Sequence, residues 1–163
     1  MKEIGSEFWA DSQELSNKLY KVANNEAVLL AGRTAIDFII RDIQSANNFT
    51  KVLLPSYCCE SMIEPFLINS VFPIFYHPFA LDDLLKKVDE VEAVLLMDYF
   101  GFKNDFLVSV AEQIHKDKIV IYDSTHCVYE NYEIEKFIDY SFISYRKWTY
   151  CNFATVKIFN NIF

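Results

Sequence analysis

The sequence predicts an α/β domain: a mostly parallel sheet between two helical layers, a three-layer α/β/α sandwich. Two observations carry that reading. Short runs apolar on both faces alternate with stretches of about ten to fifteen residues whose apolar side chains recur at helical spacing. Only three glycines occur in 163 residues, and Gly5, Gly32 and Gly101 stand too far apart for a GxGxxG or Walker-type phosphate cradle, which excludes Rossmann dinucleotide binding and P-loop chemistry.

The elements follow in order. Ala27-Val28-Leu29-Leu30-Ala31 predicts a strand ending at Gly32, and Ile36, Ile39, Ile40 and Ile43 place a helix over Thr34 to Ser45. Lys51 to Leu54 is a strand stopped by Pro55, followed by a helix carrying Met62, Ile63, Phe66 and Leu67. Val71 to Tyr76 is a third strand, interrupted by Pro73, and Leu81, Leu84, Leu85 and Val88 mark the next helix. Ala93 to Met97 leads to a helix through Phe106, Val110 and Ile114, and Ile119 to Tyr122 is a strand ending at Asp123. Tyr140 to Ser144 and Ala154 to Phe159 follow with too few residues between them for a crossover helix, so the last strand is predicted to be antiparallel. Phe66, Phe72 and Phe142 are expected in the core.

Composition narrows the function. With 52% hydrophobic and 17% aromatic residues the chain reads as one globular domain over 1–163. Lys and Arg number 15 against 23 Asp and Glu, a net charge of −8, which disfavours nucleic acid and anionic membrane as partners. The acidic amino-terminal residues and the absence of a long apolar run predict neither a leader nor a membrane span, and hence a cytoplasmic protein. Cys58 and Cys59 are adjacent while Cys127 and Cys151 stand alone, so reduced thiols are expected, and burial as small hydrophobes competes with a nucleophilic role. His77, His115 and His126 lack metal-ligand spacing, and no metal is expected.

Ligands of open α/β sheets bind at the carboxyl ends of the strands. The residues just past each apolar run are Gly32-Arg33-Thr34, Ser56-Tyr57-Cys58-Cys59, Asp98-Tyr99, Asp123-Ser124-Thr125-His126 and Ser144-Tyr145-Arg146-Lys147. Backbone amides and Thr34 at the start of the first helix suit a phosphate, with Arg33 adding charge. A strand-end Asp calls for a cation, and a pocket lysine can form an imine with a carbonyl. Bland readings stand beside these: Asp123 as a turn or cap residue, Lys147 as a solvated loop lysine, His126 as a structural histidine.

Together the segments resemble the sugar aminotransferase family (DegT/DnrJ/StrS type) of fold type I pyridoxal phosphate enzymes. Ile4 to Trp9 resembles that family's amino-terminal segment, Ala31-Gly32-Arg33-Thr34-Ala35-Ile36 its "SGTAAL" turn, and Val52-Leu53-Leu54-Pro55-Ser56-Tyr57 its "VIVPSFT" strand. Asp98-Tyr99-Phe100-Gly101 resembles "HLYG", Ile119 to His126 resembles "VIEDAAQ", and Phe142-Ile143-Ser144-Tyr145-Arg146-Lys147 the segment carrying the cofactor lysine. The resemblance implies a fold type I large domain in which Lys147 forms the aldimine with pyridoxal 5'-phosphate and moves the substrate proton, while Asp123 pairs with the pyridinium nitrogen. It implies phosphate contacts from Gly32, Arg33 and Ser144, and it sets Cys59 where an aromatic usually stacks and His126 where a glutamine near the cofactor is usual. Arg33, Cys59 and Asp98 depart from the family's Thr, aromatic and His, and Thr149-Tyr150-Cys151-Asn152-Phe153 replaces a glycine-containing segment.

The implied activity is amino transfer from an amino acid such as glutamate to a keto sugar, nucleotide-linked, in a homodimer whose site lies at the subunit interface; the exposed aromatics then predict self-association. Family members are about twice as long, so the chain corresponds to the large domain without the small carboxy-terminal one. Two other readings stand: a truncated, non-catalytic member that binds cofactor without turnover, and a sugar dehydratase, disfavoured because Lys147 is retained where those members replace it.

Overall fold

The computed structural model describes residues 22–102, 104–127, 133–149 and 152–159. The element order is β1 (Glu26–Leu29), α1 (Gly32–Ala46), β2 (Lys51–Pro55), α2 (Glu60–Ile68), β3 (Phe72–Tyr76), α3 (Leu81–Lys87), β4 (Ala93–Met97), α4 (Asp105–Ile114), β5 (Ile119–Asp123), β6 (Tyr140–Ser144) and β7 (Ala154–Ile158). Short 3₁₀ turns at Val88–Glu90, Ile134–Phe137 and Tyr145–Lys147 complete it. The Ile4 to Trp9 segment and Cys151 lie outside the described residues.

The seven strands form one sheet in the order β1-β7-β6-β5-β4-β2-β3. β2, β3, β4, β5 and β6 run parallel, while β7 is antiparallel to both β6 and β1, as the short connection after Ser144 requires. Strand parity divides the core. Val52, Leu54, Leu95, Met97 and Ile121 pack against α1 and α2, whereas Leu53, Val94, Leu96, Val120 and Tyr122 pack against α3, α4 and the Ile134–Phe137 turn. Both faces are covered, which is why β4 is buried at every position.

Helix α1 follows from its isoleucines. Ile36, Ile39, Ile40 and Ile43 are all at most 2% exposed, and each buried side chain contributes about 1.5 to 3 kcal/mol of apolar transfer. The helix begins two residues before the predicted Thr34 because the Thr34 hydroxyl turns back on Ala31, accepting from its N–H at 3.0 Å and donating to its carbonyl at 2.7 Å.

Phe72 corrects an expectation: it is 64% exposed, whereas Phe66 and Phe142 are buried. β3 is an edge strand, and Phe72 stands at its first position. Its inward backbone groups pair with β2, with Phe72 N–H donating to Thr50 O at 2.7 Å and Ser56 N–H to Tyr76 O at 2.8 Å. Of the outward groups, Pro73 has no N–H and the Phe75 carbonyl accepts from Lys87 Nζ at 2.8 Å, so the edge is blunted against further strand pairing. Phe106, Leu67 and Leu85 also face solvent. Among the described residues no helix is long and apolar enough to cross a membrane.

Candidate functional site

A cavity of about 690 Å³ opens at the carboxyl ends of the central strands, on the face covered by α1 and α2. Of the predicted residues, Gly32, Arg33 and Cys59 line it from the helix side, and Asp123, His126, Ser144 and Lys147 from the ends of β5 and β6. Thr34 does not line it; its hydroxyl is engaged in its own turn.

Asp123 is the electrostatic centre. It is 3% exposed, and among the described residues no basic side chain forms an ion pair with it. Burial pushes its carboxyl up to about 6, against hydrogen bonds from the hydroxyl and backbone of Thr125, whose N–H donates to Oδ1 at 2.8 Å. Asp98 is the other strand-end carboxylate and turns the opposite way. It accepts from Tyr122 Oη at 2.5 Å and from Asn104 N–H at 3.0 Å, on the α3 and α4 side of the sheet. Parity explains the difference, because Asp98 follows Leu96 by two residues whereas Asp123 follows Ile121 by two.

Lys147 closes the 3₁₀ turn after β6. Its ammonium acts on His126, which burial first and then the Lys147 charge hold below the usual imidazole value, so the two side chains face the same space. His126 is fixed by a stacked contact with Phe100, with centroids 6.1 Å apart at 25°, and by Phe100 N–H donating to Nδ1 at 3.5 Å. That bond leaves the neutral ring's proton on Nε2.

Where the start of α1 meets the end of β6, the two approach closely: a Cβ at Gly32 would meet Ser144 Cβ at 3.3 Å. This is where the sequence needs a glycine for space rather than for φ. Arg33 is half-exposed and pairs with Glu64 at 3.5 Å. Arg146 also lines the cavity, so its rim carries more cations than carboxylates although the chain is acidic overall.

Cys59 caps α2 and lies 3.0 Å from Ser61 Oγ, and no ring stands at its position. Cys58 is half-buried, and burial followed by Cys59 pushes its thiol up, which opposes a nucleophilic role. Aromatic rings instead border the cavity from Tyr57 and Tyr99, whose centroids are 5.7 Å apart, and Tyr99 Oη donates to the Tyr57 carbonyl at 2.8 Å. Phe100 and Gly101 turn the chain beside them at φ 59° and 81°. Gly101→Ala is expected to cost about 1 kcal/mol, read as a fall in melting temperature of about 3 °C; an unchanged melting temperature would contradict this turn.

Two residues of the site have no role in the sequence reading, although Thr125 stands in its strand-end set. Thr125, 6% exposed, bridges Asp123 and β6, with Ser144 N–H donating to its Oγ1 at 3.1 Å. Trp148 donates its indole N–H to the Thr125 carbonyl. Among the described residues no group of three or more His, Cys, Asp or Glu is placed to hold a metal ion.

No protein-family profile matches the chain, and no curated protein matches it in sequence. Solved structures do match in fold. The sugar aminotransferase CalS13 from Micromonospora echinospora aligns at a TM-score of 0.64 and 15% identity, over 83% of this chain and 42% of its own. A GDP-4-keto-6-deoxymannose-3-dehydratase, ColD, crystallised with GDP-perosamine, aligns at 0.71 and 14%, over 83% and 40%. The PLP-bound C-S lyase from Staphylococcus hominis aligns at 0.67 and 13%, over 87% and 44%. The chain thus shares its fold with these three enzymes over most of its own length and spans less than half the length of each. Three chemistries share the fold, so the reaction has to be argued from the site.

Proposed function

We propose that this chain is the large domain of an aminotransferase-type enzyme, binding pyridoxal phosphate through Lys147 and passing an amino group from an amino acid to a nucleotide-linked keto sugar. One observation carries the reading: a lysine and a fully buried carboxylate without a cation line the same cavity, at the strand ends of this fold. A carboxylate so placed is costly until a positive group meets it, and the protonated ring nitrogen of the cofactor is such a group. The Gly32 corner and the Ser144 hydroxyl fit the phosphate, beside the amino-terminal end of α1.

Bound there, pyridoxal phosphate supplies an electron-accepting ring and an aldehyde that an amine can capture. The chain's residues divide the remaining work. Asp123 holds a proton opposite its carboxylate, Lys147 Nζ takes and returns the substrate proton, and His126 offers an Nε2–H donor next to Lys147. Tyr57 and Tyr99 exclude water from one side of the cavity. The exposed rings of Tyr57 in the lining, at 59%, and of Phe100 and Phe102 in the turn beyond it, at 61% and 76%, support a homodimer in which a second copy covers them.

The share of the neighbours' length that the chain spans favours a second reading, cofactor binding without turnover. A single-turnover assay separates the two: chain loaded with pyridoxal phosphate and mixed with glutamate is expected to release about one equivalent of 2-oxoglutarate. Bound cofactor with no keto acid released would replace amino transfer by the binding-only reading.

A further inference from the structure

We infer that Thr125 and Trp148 are positioning residues that bind the Asp123 carboxylate, the Ser144 corner and the Lys147 turn into one rigid unit; the functional consequence of this rests on the cofactor reading above, whereas the geometry does not. Thr125 engages three partners through its polar groups, with its hydroxyl shared between Asp123 and Ser144. Its N–H donates to Asp123 Oδ1 at 2.8 Å, its Oγ1 accepts from Ser144 N–H at 3.1 Å, and its carbonyl accepts the Trp148 indole N–H. The three partners belong to the end of β5, the end of β6 and the residue just after the lysine turn.

Such a clamp is needed because the lysine sits on a three-residue 3₁₀ turn, the shortest element in the site. Within that turn Trp148 N–H and Thr149 N–H both donate to the Tyr145 carbonyl, at 2.8 and 2.9 Å. Tyr145 is tied in turn to Phe153, through N–H to carbonyl at 2.9 Å and stacked rings at 4.5 Å. These contacts tie the turn to the residue that precedes β7. The Trp148 to Thr125 bond joins it to the strand end that carries the carboxylate, and functional groups must be held to within about half an ångström to act together.

The test compares wild type with Trp148→Phe, Thr125→Val and Thr125→Ser, by two independent readouts beside melting temperature. The first is the rate at which acetic anhydride labels Lys147 relative to exposed Lys51, followed by peptide mass spectrometry without cofactor. The second is pyridoxal phosphate affinity by visible absorbance. Trp148→Phe and Thr125→Val are expected to change the relative labelling rate by at least about threefold and to weaken the cofactor by about tenfold, the size of one lost hydrogen bond. Thr125→Ser, which keeps the hydroxyl, is expected to restore both. An unchanged labelling rate, or a Thr125→Ser protein no better than Thr125→Val, would overturn the inference, as would labelling that merely follows a lowered melting temperature. If the labelling responds while wild type takes up no pyridoxal phosphate, the positioning role stands and the cofactor reading falls.

Discussion

Replacing Asp123 with Asn is expected to stabilise the cofactor-free chain by about 3 kcal/mol near pH 7.5 and by only about 1 kcal/mol near pH 4.5. The carboxyl has a folded value of about 6 against an ordinary 3.8, so between those two values the folded chain holds a proton that the unfolded chain releases. Stability therefore falls as pH rises through that window and levels off above it, because the folded state must then bury a charge. An amide removes the charge and can still accept from Thr125 N–H. Urea unfolding at the two pH values reads the effect directly. A variant less stable than wild type near pH 7.5 would show that a cation already meets Asp123. Added pyridoxal phosphate should reverse the ranking, since the variant lacks the carboxylate that a cationic ring would neutralise.

Lys147→Ala is expected to remove the visible absorbance that pyridoxal phosphate acquires on wild type and to weaken its binding at least tenfold. The covalent link needs an amine that can lose its proton, and among the described residues no other lysine lines the cavity. Lys147→Arg separates charge from nucleophilicity, because a guanidinium keeps the positive charge and does not deprotonate. Both variants should lack the band. Retention of the band by Lys147→Ala would move the anchoring role to another residue.

Much of this fold is legible in its apolar runs. β4 is predicted with the bounds it has, because a strand buried on both faces leaves an uninterrupted hydrophobic signature, and β6 shares its predicted bounds although two serines interrupt it. Phe72 was misplaced because hydrophobicity does not reveal which strand ends at an edge, a property of strand order rather than of local sequence. In the site, Asp123 is readable as the first polar residue after a buried strand, and Lys147 as a lysine three residues past the end of another. Asp98 has the same local signature and faces the other way; the two aspartates differ by one step of strand parity relative to the neighbours that pack under α1. Thr34 looked like a ligand residue because it stands at a helix start, yet its hydroxyl closes that start instead. Thr125 stands among the residues just past β5, but its link to Trp148 leaves no sequence signal, since that bond runs to a backbone carbonyl and joins segments 23 residues apart.

The central claim is that this cavity is a lysine-anchored cofactor site already assembled by these residues. Its most direct test is to mix the native chain with pyridoxal phosphate, reduce with borohydride, digest, and map the modified lysine by mass spectrometry, with urea-unfolded chain as the control. The structure predicts modification concentrated on Lys147 in the native chain and lost from that selectivity on unfolding. Modification spread over exposed lysines such as Lys51 and Lys116 to the same extent in native and unfolded chain would contradict it.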